Sequence, residues 1–296
     1  MKKISFIIKE DAKNLLEATK QIGLSRNMFN RYAYLGRILV NEKENRRNDR
    51  IYKNDRITFL LEDENIKYQK KALNDDVELV YSDELIYILK KPDKMLCHPS
   101  KNSGDSITLE DYAKNYFVRD GINHQVRFIN RLDYDTTGLV MIAKNDIAHA
   151  YYAQKIKNSK IKRQYLALAE GDTPPEKWKE FSKIDRDKEI GIKTTLGENG
   201  KDSETHFNLL YTNGKYHLIK AGIITGRTHQ IRLHLGAKNL QIANDPLYGK
   251  KDDDFQKMML LSYYTEFENH NSKLIKIAIR DDYFTDRVRE IFRGKI

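Results

Sequence analysis

The most specific segment of the sequence reads Thr225-Gly226-Arg227-Thr228-His229-Gln230-Ile231-Arg232-Leu233-His234. It follows an apolar run that ends at Ile224, so the pattern predicts a turn from a strand into a helix, capped at its start by Thr225 or Thr228. The two arginines and two histidines of this segment are a dense set of hydrogen-bond donors. Such a set at a helix start suits an anion, either a phosphate group or a carboxylate side chain. A solvated basic helix start is the plain alternative.

Metal binding by His229 and His234 is another interpretation of the same segment. Their separation places two side chains poorly on one face of a helix, and no cysteine or acidic residue stands at a supporting interval. We therefore expect no metal site. The chain has one cysteine, Cys97, and cannot form an internal disulfide. A lone thiol fits a reducing compartment, so we expect a cytoplasmic protein.

A second polar segment, Arg131-Leu132-Asp133-Tyr134-Asp135-Thr136-Thr137-Gly138, stands directly ahead of an apolar run that ends at Ala143. An aspartate in a turn beside a strand commonly bonds its own backbone, which accounts for Asp135. It accounts less well for Asp133, because the nearby Arg131 could hold its carboxylate in the charged form in a partly buried site. Asp133 is therefore a candidate functional carboxylate.

The net charge of +10 is spread unevenly over the 296 residues. Residues 1–71 hold 17 Lys and Arg against 10 Asp and Glu, so most of the surplus lies in the first quarter of the chain. A basic lobe on a nearly balanced body suggests a polyanionic partner such as nucleic acid, although a surface charged for solubility explains the same numbers. We expect no membrane span, because no apolar run approaches the roughly 20 residues required. The N-terminal apolar stretch breaks at Lys9, too soon for a secretory signal.

The patterning predicts an α+β chain in two parts. Residues 1–66 are typical of a compact basic module with two short helices and a few strands, and residues 67–76 of a charged linker. In residues 77–296, many strands, few helices and a hairpin turn at Asn213-Gly214 predict a larger domain. Its sheet is expected to be mixed and largely antiparallel, with flanking helices and loops.

Both polar segments resemble signature motifs of the RluA/RluD-type pseudouridine synthases. The family patterns read His-Arg-Leu-Asp-x-x-Thr-Ser-Gly and Thr-Gly-Arg-Thr-His-Gln-Ile-Arg-x-His. The second is matched without a gap from Thr225 to His234, whereas Asn130 stands where the first has its histidine. Three further landmarks of the family appear in the expected order, namely Lys91-Pro92 with His98-Pro99, Arg163 to Gly171 around Tyr165, and Ala243 to Gly249. The stretch Arg37 to Asn41, followed by Asn54 to Ile57, resembles the alpha-L RNA-binding module of certain ribosomal proteins.

The resemblance implies the pseudouridine synthase fold and a defined chemistry. The bond from ribose C1′ to uracil N1 breaks, the base turns, and C1′ rejoins the base at C5. Asp133 is implied as the carboxylate that acts at C1′, by attack, by stabilisation or by promoting loss of a ribose proton. Arg232, rather than Arg227, is implied as the arginine whose planar fork holds that carboxylate. Tyr165 is implied as the side chain that stacks on the flipped uracil.

The same resemblance places the remaining donors of the two motifs against RNA. Arg131 is expected to fill the gap left by the flipped nucleotide or to bind phosphate. The other expected RNA contacts are Arg227, His229 and Gln230. The alpha-L-like module favours ribosomal RNA of the large subunit over transfer RNA, and we expect a monomer. Product and substrate contain the same atoms, so no cofactor is expected, in agreement with the lack of a Walker-type loop or a dinucleotide fingerprint.

Three other functions are compatible with parts of the sequence. A catalytically silent RNA-binding protein of ribosome assembly is the leading alternative, against which the joint presence of Asp133, Tyr165 and Arg232 argues. A nucleoside hydrolase that uses Asp133 would release free uracil and leaves the basic lobe without a purpose. A deaminase is the weakest, for lack of zinc ligands.

Overall fold

The structure is a computed structural model that describes residues 2–100, 104, 106–186 and 194–294. Its first strands and helices are β1 (Lys3–Ile7), α1 (Leu15–Ile22), α2 (Arg26–Tyr34), β2 (Ile38–Val40), β3 (Lys43–Glu44) and β4 (Arg56–Leu60). The next are β5 (Glu78–Ser82), β6 (Ile86–Lys91), α3 (Leu109–Arg119), β7 (Arg127–Phe128), β8 (Thr137–Ala143), α4 (Asp146–Lys157) and β9 (Ile161–Gly171). The last are β10 (Lys177–Arg186), β11 (Thr194–Leu196), β12 (Lys201–Thr212), β13 (Tyr216–Ile223), α5 (Gln230–Gly236), β14 (Leu240–Ile242), β15 (Leu260–Glu268), β16 (Leu274–Ala278) and α6 (Asp282–Ile291). Among the helices that the structure describes, none has the length and apolar character needed to cross a bilayer.

The N-terminal part contains a small antiparallel sheet in the strand order β1-β4-β2-β3, together with α1 and α2. Ser25 caps α2, and its hydroxyl accepts a hydrogen bond from the backbone N–H of Met28. Gly23 ends α1 with a left-handed φ of 104°. A Cβ at this glycine would overlap the carbonyl oxygen of Ala150 in α4, so the close contact between the two helices requires glycine.

The second sheet comprises twelve strands within the described ranges, and its main path runs β11-β10-β12-β13-β9-β15-β8-β6-β5. Neighbouring strands pair antiparallel except β8 and β15, which run parallel where Thr137 and Gly138 lie opposite Leu261 and Ser262. The predicted hairpin at Asn213-Gly214 joins β12 to β13. The predicted α+β class with a largely antiparallel sheet is therefore confirmed.

Strands β6 and β8 are buried on both faces, which explains why their sequences are continuously apolar rather than alternating. Val140 and Ile142 face a core shared with α3 and α6, while Leu139 and Met141 face a second core. That second core also contains α4 and the buried side chains of the N-terminal sheet and helices. The N-terminal part therefore covers one face of the large sheet.

A buried carboxylate joins the N-terminal part to the body. The Tyr32 hydroxyl donates a hydrogen bond of 2.9 Å to Asp146, and Arg31 forms an ion pair with the same side chain. The predicted linker, residues 67–76, contains no helix or strand, and the Tyr68 hydroxyl within it accepts a hydrogen bond from the backbone N–H of Val126. The division of the chain at these boundaries and the alpha-L character of its first part stay predictions.

Candidate active site

A cleft of about 1250 Å³ opens between the turn before β8, strand β9 and the turn before α5. It is lined by all seven residues that the sequence singles out, namely Asp133, Tyr165, Arg232, Arg131, Arg227, His229 and Gln230. These residues come from segments that are far apart in the chain, so the fold brings the two polar motifs and the tyrosine to one place. A shared cleft is necessary for joint chemistry.

The register of three neighbouring strands sets the spacing across this cleft. Ser262 on β15 lies opposite Tyr165 on β9 and opposite Gly138 on β8. Gly138 has a φ of 130°, and a Cβ there would overlap the carbonyl oxygen of Ser262. Glycine at this position therefore lets β8 approach β15 and holds the preceding turn, with Asp133, at a fixed distance from Tyr165.

The turn that carries Asp133 is held by backbone contacts rather than by its own side chain. The N–H of Thr136 donates to the carbonyl of Asp133 at 3.1 Å. The buried ammonium of Lys91 donates to the carbonyls of Tyr134 and Met95 at 3.0 and 2.9 Å. Burial lowers the pKa of Lys91 to about 8, against the opposing effect of nearby acidic groups that include Asp133. Lys91 therefore links the Lys-Pro loop to the turn and places a positive charge near the carboxylate.

The planar fork of Arg232 binds Asp245, not Asp133. Its Nε and Nη2 donate to the two carboxylate oxygens of Asp245 at 2.7 and 2.5 Å, and both side chains are 1% exposed. The remaining nitrogen, Nη1, lies 3.8 Å from Oδ2 of Asp133, whose side chain is 25% exposed. The predicted fork on Asp133 is thus wrong, because Asp245 already occupies it. What the structure retains is a longer ion pair between Arg232 and Asp133.

Asp245 is charged in this arrangement. Burial alone would raise the pKa of its carboxyl group, but the hydrogen bonds and charge of Arg232, with the N–H groups of Tyr248 and Leu247, bring the pKa below its ordinary value. Burial likewise opposes the charge of Arg232, and its acidic neighbours, Asp245 first and then Asp133, raise its pKa overall. The guanidinium is therefore a fixed, permanent charge that faces Asp133 with one nitrogen.

Tyr165 is buried and lies at the floor of the cleft. Burial raises the pKa of its hydroxyl, an effect that the neighbouring charge of Arg163 and a hydrogen bond with Ser262 reduce and that the charge of Asp133 increases. The phenol therefore stays neutral near pH 7 and keeps its proton as a donor. A neutral aromatic ring at this position suits stacking against an uncharged base.

The turn before α5 differs from its predicted form in two respects. Neither threonine caps the helix, because His229 takes the N-cap position in a left-handed conformation with φ 57° and makes no side-chain cap. The amide of Gln230 is engaged at both ends, accepting from Thr225 and from the N–H of Arg227 and donating to the Glu204 carbonyl and to Thr205. The predicted RNA contact of Gln230 does not fit this geometry, since four internal bonds use its whole capacity. The side chain stabilises the turn instead.

The two histidines of this segment have separate surroundings. Nδ1 of His229 lies 2.8 Å from the Tyr248 hydroxyl, whereas His234 contacts the hydroxyls of Ser182, Ser203 and Thr205. Across the described ranges, no three His, Cys, Asp or Glu side chains are grouped so as to hold a metal ion. His229 therefore belongs to the cleft, and His234 belongs to the packing behind it.

Two arginines remain at the surface of the cleft. Arg131 is exposed, and no ion pair joins it to Asp133, contrary to the role that their proximity in sequence suggested. Arg227 is half-buried and its Nε donates to the carbonyl of Asp202. Asn130, at the position of the family's histidine, bonds the backbone of β8 through Met141 and Leu139. Asn130 is therefore a structural residue, while Arg131 is free to meet a ligand.

Four residues of the site were missed by sequence reasoning. Asp245 and Tyr248 hold Arg232 and His229, Lys91 holds the aspartate turn, and Arg163 lines the cleft beside Tyr165. All four lie within landmarks that the sequence displays. Only their side-chain partners, which no sequence pattern specifies, reveal what they do.

Comparison with known proteins identifies the family of the chain. The family model for RNA pseudouridylate synthase matches residues 85–237. An uncharacterized RNA pseudouridine synthase of Helicobacter pylori is 31% identical over 282 residues, which cover 90% of this chain and 86% of that protein. Ribosomal large subunit pseudouridine synthase D of Borreliella burgdorferi is 30% identical over 227 residues, 74% of this chain and 69% of that protein. The structure of human RNA pseudouridylate synthase domain containing 1 shares the fold, with a TM-score of 0.57 at 22% identity, over 72% of this chain and 86% of the human one.

Fold, cleft and relatives together define an isomerase that acts on RNA. The chain belongs to the RluA/RluD family of RNA pseudouridine synthases, and the resemblance of its two motifs to that family is confirmed.

Proposed function

We propose that this enzyme converts a uridine of structured large-subunit ribosomal RNA into pseudouridine, with Asp133 acting at ribose C1′ and Tyr165 stacked on the flipped base. The observation that supports it most directly is the cleft in which Asp133, Tyr165 and Arg232 meet, with Arg232 Nη1 3.8 Å from the Asp133 carboxylate. An RluD-named relative acts, by its name, on the large ribosomal subunit, which supports the choice of RNA.

The reaction breaks one bond to ribose C1′ and forms another. The bond from C1′ to N1 breaks with its electron pair on the base, and the Asp133 carboxylate attacks C1′. The base then turns, C5 bonds to C1′ as the carboxylate leaves, C5 loses its proton, and N1 gains one. Arg232 places a permanent positive charge 3.8 Å from the Asp133 carboxylate, which opposes the turning of that side chain away from C1′. The target base has to leave its stack, which costs least in loops and bulges of folded RNA.

The basic N-terminal part supplies attraction to phosphates in this proposal. Arg46, Arg47 and Arg50 are exposed on the loop between β3 and β4. Binding should weaken steeply with salt, and Arg46→Gln should reduce the slope of log affinity against log salt by about 1 if its phosphate contact is lost. A monomer in the cytoplasm remains part of the proposal.

Two RNA pools provide the test. The purified protein is incubated with in vitro transcribed large-subunit ribosomal RNA or with a pool of transfer RNA transcripts, each made with uridine tritiated at C5. Release of tritium to water measures loss of the C5 hydrogen, and carbodiimide adducts that resist alkali locate the new pseudouridines. Asp133→Asn serves as the inactive variant. Asp253→Asn makes the same chemical change at an aspartate whose side chain is 91% exposed and serves as the control.

We expect turnover of the ribosomal transcript by wild type and Asp253→Asn and none by Asp133→Asn. Turnover of transfer RNA alone would overturn the choice of RNA. Release of free uracil would identify a hydrolase, and RNA binding without any turnover would identify the silent RNA-binding protein. Wild-type rates in Asp133→Asn would remove the catalytic role of this residue.

A further inference from the structure

Arg163 is a charged side chain in the cleft, and none of the carboxylates that the structure describes forms an ion pair with it. It lies two residues before Tyr165 on β9, so both side chains project from the same face of the strand. The burial of Arg163 and Tyr165 on either side of a half-buried Gln164, with Lys162 exposed, follows this alternation. Arg163 and Tyr165 both line the cleft. The side chain next to the tyrosine is thus presented to the same ligand.

The guanidinium of Arg163 is nine-tenths buried, with 7% of the residue exposed. Its Nε has no hydrogen-bond partner, and no carboxylate of the described residues forms an ion pair with it. Burial lowers the pKa of Arg163, partly offset by the nearby Tyr165 hydroxyl, yet arginine stays protonated at any working pH. An unpaired buried charge lowers the free energy of unfolding. Proteins keep such charges mostly at functional sites, where a bound ligand supplies the missing partner.

The second polar motif leaves room for this side chain. A Cβ on Gly226 would lie 3.2 Å from Nη1 of Arg163, closer than a comfortable contact, while the φ of this glycine is one that other residues adopt. An alanine here would therefore push the guanidinium of Arg163 by a few tenths of an ångström without straining its own backbone. Gly226 and Arg163 together form one wall of the cleft beside the tyrosine.

Depth decides which part of an RNA would meet Arg163. Backbone phosphates stay close to solvent when a nucleotide is flipped, whereas the base enters the pocket. Arg131 and Arg227 are exposed or half-buried at the same cleft and are placed for phosphates. Arg163 is buried as deeply as Tyr165, so the base and not the phosphate reaches it.

We propose that Arg163 is a further catalytic residue, which donates hydrogen bonds to a carbonyl oxygen of the flipped uracil and stabilises the anion that the base becomes on detachment. This inference rests on the proposed function. When the C1′–N1 bond breaks, its two electrons stay on the base, and the negative charge is shared by N1 and the two carbonyl oxygens. When C5 bonds to C1′, that charge is used in the new bond, and loss of the C5 proton with gain of one at N1 restores a neutral base. The guanidinium would therefore stabilise a negative charge that the base carries only after the C1′–N1 bond breaks and before the C1′–C5 bond forms.

The test separates the chemical step from binding and from folding. The variants are Arg163→Met, Arg163→Lys and, as the matched control, Lys162→Met on the same strand but outside the cleft. Turnover at saturating RNA is measured by tritium release on the transcript that wild type modifies. RNA affinity and its salt slope are measured for each variant combined with Asp133→Asn, so that no turnover occurs. Thermal unfolding is recorded for all.

We expect Arg163→Met to lower kcat on the order of 100-fold, with unchanged affinity and salt slope and with no fall in Tm. Arg163→Lys should recover part of that loss because it keeps the charge, and Lys162→Met should leave kcat unchanged. Weaker binding with a reduced salt slope and unchanged kcat would make Arg163 a phosphate contact and overturn the proposal. A lowered Tm with kcat unchanged per folded molecule would make it structural and overturn it too.

A second variant tests the geometry. Gly226→Ala should displace the guanidinium and lower kcat on the order of tenfold in the wild-type background. It should add nothing in the Arg163→Met background, because the displaced group is then absent. An equal loss in both backgrounds would contradict the assignment. If wild type itself forms no pseudouridine, the proposed function fails first, and that result is distinct from every outcome above.

Discussion

Replacing Asp245 by asparagine should cost the enzyme both stability and activity. The wild-type carboxylate accepts two hydrogen bonds from Arg232 and two from the N–H groups of Leu247 and Tyr248. Asparagine keeps one acceptor oxygen but loses the charge and turns an N–H₂ group toward the guanidinium. Arg232, whose side chain is 1% exposed, is then buried beside no bonded carboxylate.

The size of the effect follows from burial. Removing one partner of a buried ion pair costs about 3–5 kcal/mol. At about 2.1 cal/mol/K per residue, unfolding 296 residues has an entropy of roughly 0.6 kcal/mol/K, so the midpoint should fall by about 5–8 °C. Because Asp245 also fixes the orientation of Arg232 toward Asp133, activity below the midpoint should fall on the order of 100-fold.

Circular dichroism melts and tritium release on the same preparations measure the two effects. Asp253→Asn is the matched control, because Asp253 pairs with Lys251 at the surface, with side chains 91% and 86% exposed. An exposed pair contributes about 0–1 kcal/mol, so this variant should match wild type in both assays. If Asp245→Asn melted and turned over like the control, the bidentate pair would not hold Arg232, and the electrostatic account of the site would be wrong.

Three further predictions concern the packing around the cleft and the attachment of the N-terminal part. Gly138→Ala should lower the free energy of unfolding by roughly 3 kcal/mol, because its Cβ would overlap the Ser262 carbonyl oxygen at a φ of 130°; urea titration measures it. Burial lowers the pKa of His234 to about 4 from an ordinary 6.5, so the stability from its neutral ring is present above pH 6.5 and lost as pH falls toward 4. His234→Gln should accordingly show a shallower loss of stability in that pH window than wild type. Asp146→Ala should cost about 1–3 kcal/mol by removing the acceptor of Arg31, and limited proteolysis should then cleave the N-terminal part faster.

Each of these predictions has its own contrary result. A Gly138→Ala protein as stable as wild type would mean that β8 and β15 adjust freely. If wild type and His234→Gln lost stability equally between pH 6.5 and pH 4, the imidazole would not contribute to the pH dependence of stability. An unchanged digestion pattern for Asp146→Ala would leave the apolar core alone responsible for holding the N-terminal part.

The sequence by itself determined the class of fold and the family, and it predicted residues that the fold brings to one cleft. The ungapped motif from Thr225 to His234 and the motif around Asp133 are short contiguous sequences. Such motifs can be recognised without any knowledge of their tertiary contacts. The α+β class followed from runs of apolar residues and from turn residues such as Asn213-Gly214. Both signals depend only on a few residues that are neighbours in the sequence.

The tertiary structure decided the pairing of side chains. From the sequence, Arg232 had one evident carboxylate to bind, Asp133, yet the fork binds Asp245, which is closer in the chain and fully buried with it. The sequence predicts that Gln230 contacts RNA, but its amide makes two hydrogen bonds within its own turn and two to β12. A hydrogen bond depends on ångström-scale separations and on which competing partner is nearer, and neither quantity is encoded in residue type or spacing.

Burial is the other property that only the folded chain defines. Arg163 lies in a motif that is recognised by its tyrosine. The order of residues does not show that Arg163 is buried or that its Nε has no hydrogen-bond partner among the described residues. The same holds for Lys91, whose ammonium is fully buried in the folded chain and donates to three carbonyl oxygens. The free-energy cost of a charge depends on its distance from water, and that distance is set by strands that are separated in the sequence and paired in the fold.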